Sequence, residues 1–168
     1  ARRRIEEAIE EVRRLDAGSW FGAAFAGQRV PTWDEAVALV RGRAGMYPEL
    51  KAPAMYTAKN MDMVEIFARA VRGAGGDVPA ASGTRPPLVL QSFDEGAVRA
   101  LAVALPRVPR TFLIGDKTAA ERWLSSAERL REIASFATGI GPAKAIVESQ
   151  PGIVAWAHAA GLTVTPWT

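Results

Sequence analysis

The feature that most restricts the fold of this chain is a repeated alternation of short apolar strand patterns with helical patterns. After two helical patterns in the first 42 residues, strand patterns occur at five places along the sequence: residues 46–51, 88–93, 111–115, 137–142 and 162–167. Apolar strands that alternate with helices are typical of a parallel sheet covered by helices. The pattern predicts an α/β fold and leaves a closed barrel and an open doubly wound sheet as alternatives.

Local signals place the helices at the start of the chain. Apolar residues at spacings of three and four predict an amphipathic helix over residues 5–15, ended by the turn 16–19. Residues 20–31 combine aromatic side chains and glycines without a period, which predicts a loop packed by its own aromatic rings. Thr32 and Glu35 have the spacing of a capping box and predict the start of a second helix.

The later helical patterns follow the strands. We expect a helix over about residues 57–72, a helix capped by Asp94, a helix that contains both Trp123 and Leu130, and a helix over residues 152–160. Together with the strands, these helices fit one α/β unit.

Length and composition are those of an ordinary globular protein. The 168 residues are 49% hydrophobic, and we predict a single domain over residues 1–168. The Pro- and Gly-rich residues 75–87 are interpreted as a flexible surface connection within that domain. The longest apolar run, residues 100–105, has about six residues, whereas a membrane-spanning helix needs about 20. No membrane span is therefore expected.

Charge and cysteine content exclude several classes of site. The chain has no cysteine, so disulfides, thiolate metal sites and cysteine nucleophiles are excluded. Lys and Arg number 21 against 18 Asp and Glu, and the arginines near the start alternate with glutamates. This is the profile of a solvated helix, and we expect no nucleic-acid partner.

The segment with the clearest chemical content lies on the first predicted strand. Glu49 and Lys51 are two residues apart, so both side chains point to the same face of a strand. At the carboxyl end of a barrel strand, a carboxylate can bind a hard cation and an ammonium can stabilise charge on a phosphoryl oxygen. A solvated ion pair at the end of a strand is the alternative interpretation.

Other candidates are weaker. His158, the single histidine, falls inside the predicted helix 152–160, and we interpret it as a packed or surface imidazole rather than a general base. Ser92 has no histidine or aspartate at the placement of a catalytic triad. Neither residue is assigned to the site.

Several motifs, in their order along the chain, resemble glycerophosphodiester phosphodiesterases. They are Asp16-Ala17-Gly18-Ser19-Trp20-Phe21, Val30-Pro31-Thr32-x-x-Glu35, Tyr47-Pro48-Glu49-Leu50-Lys51-Ala52-Pro53, Gln91-Ser92-Phe93-Asp94, Gly139-Ile140-Gly141-Pro142 and the segment from Ala159 to Thr168. The resemblance covers nearly the whole chain. The Pro-Glu-Leu-Lys-Ala-Pro and Gly-Ile-Gly-Pro forms are most similar to the periplasmic, calcium-dependent branch of the family.

The resemblance implies a (β/α)₈ TIM barrel, here incomplete, with about five of its parallel strands. It implies a metal-dependent hydrolase that converts glycerophosphodiesters to glycerol 3-phosphate and an alcohol, in lipid and glycerol metabolism, with Ca²⁺ or Mg²⁺ as the cofactor. By that match Glu49 is a metal ligand and Lys51 is catalytic through contact with phosphate. Gln91, Phe93 and Trp167 bind the substrate.

The chain departs from the family pattern in one respect that affects activity. The strands that carry the two catalytic histidines of the family, and its last strand, have no counterpart here. A barrel of this type needs about 250 residues. We therefore expect a piece that is inactive alone and that pairs with the missing part of its own barrel. The alternative is a non-catalytic phosphate-binding barrel or scaffold protein. The resemblance favours a periplasmic or secreted location over the cytoplasm.

Overall fold

The computed structural model describes residues 2–75 and 88–168. These fall into two compact units, Ala1–Gly42 and Arg43–Thr168. The prediction of a single domain stays a prediction. Beyond Gly75, the predicted surface connection lies outside the described residues.

The first unit has the elements expected from the sequence. Helix α1 spans Arg2–Arg14, a 3₁₀ turn spans Ala23–Phe25, and helix α2 spans Trp33–Val40. The Thr32 side chain accepts a hydrogen bond from the Glu35 backbone N–H, and the Glu35 carboxylate accepts one from the Thr32 N–H. The capping box is therefore confirmed. These bonds and an ion pair with Arg13 lower the pKa of Glu35.

The loop between α1 and the 3₁₀ turn is organised around the carboxylate of Asp16. That carboxylate accepts hydrogen bonds from the backbone N–H groups of Gly18, Ser19 and Gly27, and from the Ser19 hydroxyl. The aromatic rings of the loop contact one another edge to face in a chain from Trp20 to Phe21 to Phe25. The rings contact one another as predicted, but they stay largely exposed, so hydrogen bonds to Asp16 rather than aromatic packing hold the loop.

The second unit alternates strands and helices. Its elements, in chain order, are α3 (Pro53–Thr57), α4 (Met63–Gly73), β1 (Leu90–Ser92), α5 (Glu95–Ala104), β2 (Arg110–Ile114), α6 (Lys117–Trp123), α7 (Ala127–Ala134), β3 (Gly139–Pro142), α8 (Lys144–Ser149), α9 (Gly152–Ala159) and β4 (Thr163–Val164). The strands form one parallel sheet in the order β1-β2-β3-β4. The α/β fold with a parallel sheet is confirmed.

The first predicted strand, residues 46–51, joins this sheet only by isolated parallel bridges. Met46 pairs with Leu88, and Glu49 pairs with Gln91. Between them Pro48 has no N–H to donate, so a continuous ladder cannot form. We call residues 46–51 the edge segment, because they lie beside β1 on the side away from β2.

Two of the predicted helices were placed inaccurately. The helix expected over residues 57–72 is instead α3 followed by α4, because Asp62 accepts a hydrogen bond from the Glu65 N–H and caps a new helix. The helix expected to hold both Trp123 and Leu130 is two helices, because Ser126 caps α7 in the same way. In both cases a capping side chain within the helical pattern starts a new helix.

The two faces of the sheet differ. Phe112, Ile114 and Ile140 belong to the main hydrophobic cluster, which they share with Trp123 and Leu130 of the covering helices. Side chains alternate along a strand, so the neighbours of these residues lie on the opposite face. No helix among the described residues combines the length and apolar character needed to cross a membrane.

Candidate functional site

The predicted site residues lie on the sheet face opposite the helical cluster. The register aligns Glu49, Gln91, Thr111, Gly139 and Thr163 in one row across the edge segment and the four strands. Paired residues of parallel strands point to the same face. Residues farther along each strand lie nearer the carboxyl ends, which is the edge where barrel proteins place their sites.

Glu49 and Gln91 are direct neighbours in this row. Glu49 is half-buried, and its carboxylate makes no hydrogen bond or ion pair with any residue in the ranges 2–75 and 88–168. The Gln91 Nε2 donates to the backbone carbonyl of Tyr47 at 3.2 Å. Gln91 therefore binds the edge segment itself, and its Oε1 is the amide atom left for a ligand.

Lys51 lies at the end of the edge segment and is exposed. Leu50, between Glu49 and Lys51, is only 2% exposed, so the alternation of an extended chain places the two charged residues opposite Leu50. Within the described part of the chain, the Lys51 ammonium has no carboxylate partner. The alternative of a solvated Glu49–Lys51 ion pair is not what the structure contains.

The backbone changes direction immediately after Lys51. Ala52 has φ 48° and ψ 51°, the left-handed conformation, and Pro53 then begins α3. A non-glycine residue in this region is strained by about 1–2 kcal/mol. Strain of this kind occurs preferentially at functional sites.

Phe93 and Trp167 form an aromatic pair at the carboxyl edge of the sheet. Their ring centroids are 5.4 Å apart and the planes make an angle of 89°. The Trp167 indole N–H donates to the Gly141 carbonyl at 3.0 Å, which fixes the ring on β3. A Cβ on Gly115 would lie 3.1 Å from the Phe93 ring, so the glycine at this point allows the pair to approach β2.

A Ca²⁺ or Mg²⁺ ion takes six or more oxygen ligands. No group of three Asp, Glu, His or Cys residues lies together in the described part of the chain. Glu49 alone supplies one free carboxylate, so these residues do not by themselves form a metal site. Metal binding therefore stays a prediction.

His158 and Lys144 lie outside this arrangement. His158 is exposed near the end of α9, whose last turn leads into the start of β4, so it lies toward the amino edge of the sheet. Lys144 opens α8 and pairs with Glu148 at 3.5 Å. Neither residue joins the row of Glu49.

Two grooves open on the second unit. A cleft of about 600 Å³ between α5 and α6 is bordered by Phe93, Gly115, Asp94 and Asp116. A larger apolar groove of about 1200 Å³ lies among α3, α4 and α5, on the helical layer, and contains none of the predicted site residues. We place the candidate site at the strand ends, where those residues meet.

A parallel sheet that has its helices on one face is the arrangement found in part of a (β/α)₈ barrel. The sequence model of the glycerophosphoryl diester phosphodiesterase family matches residues 4–168. The chain belongs to this family.

Individual relatives agree with this assignment. The chain is 23% identical over 171 aligned positions to a glycerophosphodiester phosphodiesterase of Bacillus subtilis, covering 97% of this chain and 55% of the relative. Its fold is similar to the glycerophosphodiester phosphodiesterase of Agrobacterium tumefaciens, with 27% identity, a TM-score of 0.62 and coverage of 94% of this chain and 57% of that chain.

A third relative was solved with a ligand. A phosphodiesterase from Oleispira antarctica, in complex with the product sn-glycerol-3-phosphate, shares the fold at 20% identity and a TM-score of 0.67, covering 95% of this chain and 57% of that one. The chain thus spans little more than half the length of these relatives. The TIM-barrel type of fold is confirmed, and the barrel is incomplete in this chain.

The roles assigned to Glu49, Lys51, Gln91, Phe93 and Trp167 stay predictions, as do the calcium-dependent branch and the location. Three further hydroxyl residues make hydrogen bonds in this region and were not among the predicted site residues: Tyr47, Ser92 and Thr111. A hydroxyl group on a predicted strand was the only sequence signal for Ser92 and Thr111.

Proposed function

We propose that the full-length gene product hydrolyses glycerophosphodiesters to glycerol 3-phosphate and an alcohol. The observation that carries this proposal is the family match over residues 4–168. The bound sn-glycerol-3-phosphate in the Oleispira antarctica relative supports the same class of ligand for this chain. The side chains at the carboxyl ends of the strands offer the corresponding surface: Glu49, Lys51, Phe93 and Trp167.

Lys51 is proposed as the residue that contacts phosphate. Its ammonium is exposed and free of carboxylate partners among the described residues, so it is available to a phosphodiester anion. Positive charge placed beside a phosphoryl oxygen stabilises the negative charge that increases there during attack by a nucleophile. We expect this to be the main contribution of Lys51.

Glu49 is proposed as one ligand of a divalent cation, Ca²⁺ or Mg²⁺. The remaining ligands would come from outside the described residues, since these contain no cluster of three candidate ligands. A bound cation would supply charge neutralisation at the phosphoryl oxygens. Gln91 is proposed to orient the substrate through Oε1.

Phe93 and Trp167 are proposed as the apolar wall for the glycerol moiety. Both side chains are partly exposed, at 45% and 36%, so their faces are open to a ligand. Each ring has a fixed position because each packs on the other. A rigid wall limits the orientations of a small substrate.

The general acid and base are proposed to lie outside residues 1–168. The chain has one histidine, and His158 is on the outer helix α9. We therefore expect the 168-residue polypeptide alone to be inactive and to need the rest of its barrel. A periplasmic or secreted location is part of the proposal.

The test is release of glycerol 3-phosphate from glycerophosphocholine by the full-length gene product, with Ca²⁺, with Mg²⁺ and with a chelator. Lys51→Met should lower kcat about 100-fold, and Glu49→Gln should lower activity by a similar factor. Glu49→Gln should also raise the cation concentration needed for half-maximal activity.

Matched controls come from α7, where Arg131 and Glu128 form an exposed pair at 3.2 Å. Arg131→Met and Glu128→Gln remove the same charges on the helical layer and should leave kcat unchanged. An inactive wild type with every cation would reject the enzyme proposal and favour the phosphate-binding scaffold. Full activity of Glu49→Gln would reject the metal-ligand role alone.

A further inference from the structure

The edge segment carries Glu49 and Lys51, yet few backbone bonds hold it. Three main-chain hydrogen bonds join it to β1 and to the preceding Val89: Val89 N–H to the Met46 carbonyl, Gln91 N–H to the Pro48 carbonyl, and Leu50 N–H to the Gln91 carbonyl. Pro48 has no N–H to donate, so this pairing lacks one bond of a regular parallel ladder. Side-chain contacts can therefore add to its placement.

Side chains supply those contacts. The Ser92 hydroxyl donates to the Leu50 carbonyl at 2.8 Å and accepts from the Asp94 N–H at 3.1 Å. The hydroxyls of Tyr47 and Thr111 are hydrogen-bonded to each other, which ties the edge segment across β1 to β2. Both bonds reach the edge segment from within the sheet.

Ser92 and Thr111 share a second property. They are the two buried polar side chains within residues 6–75 and 88–168, at 0% and 1% exposure. Burial of a hydroxyl is unfavourable unless it is hydrogen-bonded, and an apolar residue of similar size would pack at these positions. Both buried hydroxyls bind the edge segment. This shared partner indicates that the position of the edge segment matters.

We propose, on the basis of the proposed function, that Ser92 and Thr111 are positioning residues: they hold the edge segment so that Glu49 and Lys51 face the substrate. Ser92 also joins Leu50 to the Asp94 backbone, beside Phe93. It thereby links the charged half of the site to its aromatic wall. Neither hydroxyl contacts the substrate.

The first arm of the test measures position without activity. In the full-length gene product, Ser92→Ala and Thr111→Val should each lower the hydrogen-exchange protection of the Leu50 amide about 10-fold. Amides of β3 should keep their protection. Ser135→Ala is the matched control, because the Ser135 hydroxyl also donates to a backbone carbonyl, that of Glu132, but is exposed at the C-terminal end of α7.

The second arm measures turnover of glycerophosphocholine. Ser92→Ala and Thr111→Val should lower kcat about 10- to 100-fold with a smaller change in KM, as loss of support for a catalytic group does. Ser92→Cys, which keeps the size and a weak donor, should recover part of the loss. In a Lys51→Met background, Ser92→Ala should lower kcat much less than in the wild type. The ammonium that Ser92 positions is already absent from that variant.

The outcomes separate the two proposals. Unchanged protection at Leu50, or lowered protection with unchanged kcat, overturns the positioning role. Additive losses of Ser92→Ala and Lys51→Met also overturn it, since a general loss of stability gives that result. If the wild type hydrolyses no glycerophosphodiester, the proposed function fails, and the exchange arm alone decides whether the two hydroxyls hold the edge segment.

Discussion

The Trp167 ring meets the Phe93 ring edge-on, with centroids 5.4 Å apart and planes at 89°. Phe93 directly follows β1, and Trp167 pairs with Ala143, which directly follows β3. The ring contact therefore joins the carboxyl ends of β1 and β3, with β2 between them. The ring of Trp167 is also fixed by its hydrogen bond to the Gly141 carbonyl. The Trp167 ring is therefore held from two directions, by Phe93 and by the Gly141 carbonyl.

We predict that Phe93 and Trp167 stabilise the fold cooperatively. Edge-to-face aromatic pairs contribute about 0.5–1.5 kcal/mol beyond the area that they bury. A double-mutant cycle of Phe93→Ala and Trp167→Ala, measured by urea denaturation, should give a coupling free energy in that range. Trp156, which is 45% exposed on α9, serves as the control. Coupling between Phe93→Ala and Trp156→Ala as large as that of the ring pair would contradict the prediction.

A second prediction concerns the strained residue after Lys51. Ala52 has a positive φ of 48°, which glycine adopts without steric cost. Ala52→Gly should therefore raise the free energy of unfolding by about 1 kcal/mol, although the greater freedom of glycine in the unfolded chain offsets part of the gain. Denaturant unfolding at constant pH measures this change.

The control for Ala52 is the same substitution in a helix. Ala155 is exposed in the middle of α9, where Ala155→Gly should lower the free energy of unfolding by about 1 kcal/mol. Opposite signs at the two positions identify the backbone conformation as the cause. A loss of stability in Ala52→Gly would show that its left-handed conformation is not strained.

The order of strands and helices could be predicted because each strand is short, apolar and bounded by a helical pattern. The edge segment was predicted as a strand from its place in the alternation of strands and helices. It forms two isolated bridges instead, because Pro48 has no N–H to donate, and a proline inside a strand pattern is a sequence signal for this outcome. The predicted helix boundaries were wrong where Asp62 and Ser126 cap new helices inside a continuous helical pattern.

The site was only partly predictable. Spacing alone indicated that Glu49 and Lys51 share a face, because a strand has a period of two. The contacts of Tyr47 with Thr111 and of Ser92 with Leu50 depend on the register between segments far apart in the chain. A local sequence pattern holds no information on that register. The contacts of Tyr47, Ser92 and Thr111 could therefore not be predicted from the sequence.

A third prediction tests the loop around Asp16. A methyl group at Gly18 would overlap the backbone carbonyl of Phe25, and a backbone atom cannot move aside as a flexible side chain can. Gly18→Ala should therefore disorder the loop and increase its cleavage by a nonspecific protease about 10-fold. Gly22→Ala is the matched control, because a Cβ there meets only an ordinary contact of 3.7 Å with the Phe25 ring. Equal cleavage of the two variants would contradict the steric explanation.

The last prediction concerns the pH dependence of the same loop. Hydrogen bonds from the backbone N–H groups of Ser19 and Gly27, from the Ser19 hydroxyl and from the Gly18 N–H hold the pKa of Asp16 far below its ordinary value of 3.8. A carboxyl group whose pKa is lowered by folding stabilises the folded form above the unfolded pKa, and this contribution is lost as the pH falls below it. The ordered loop should thus persist from neutral pH to about pH 4 and weaken progressively at lower pH.

The measurement is the NMR signal of the Trp20 indole N–H, which donates to the Ala17 carbonyl within the loop. In the wild type this signal should be constant through about pH 4 and should change only at lower pH, as the pH approaches the lowered pKa of Asp16. Asp16→Asn cannot ionise and offers one acceptor oxygen in place of two, so its loop should already be weakened at neutral pH and should show no such transition. A transition that survives in Asp16→Asn would assign the pH dependence to another carboxylate of the first unit.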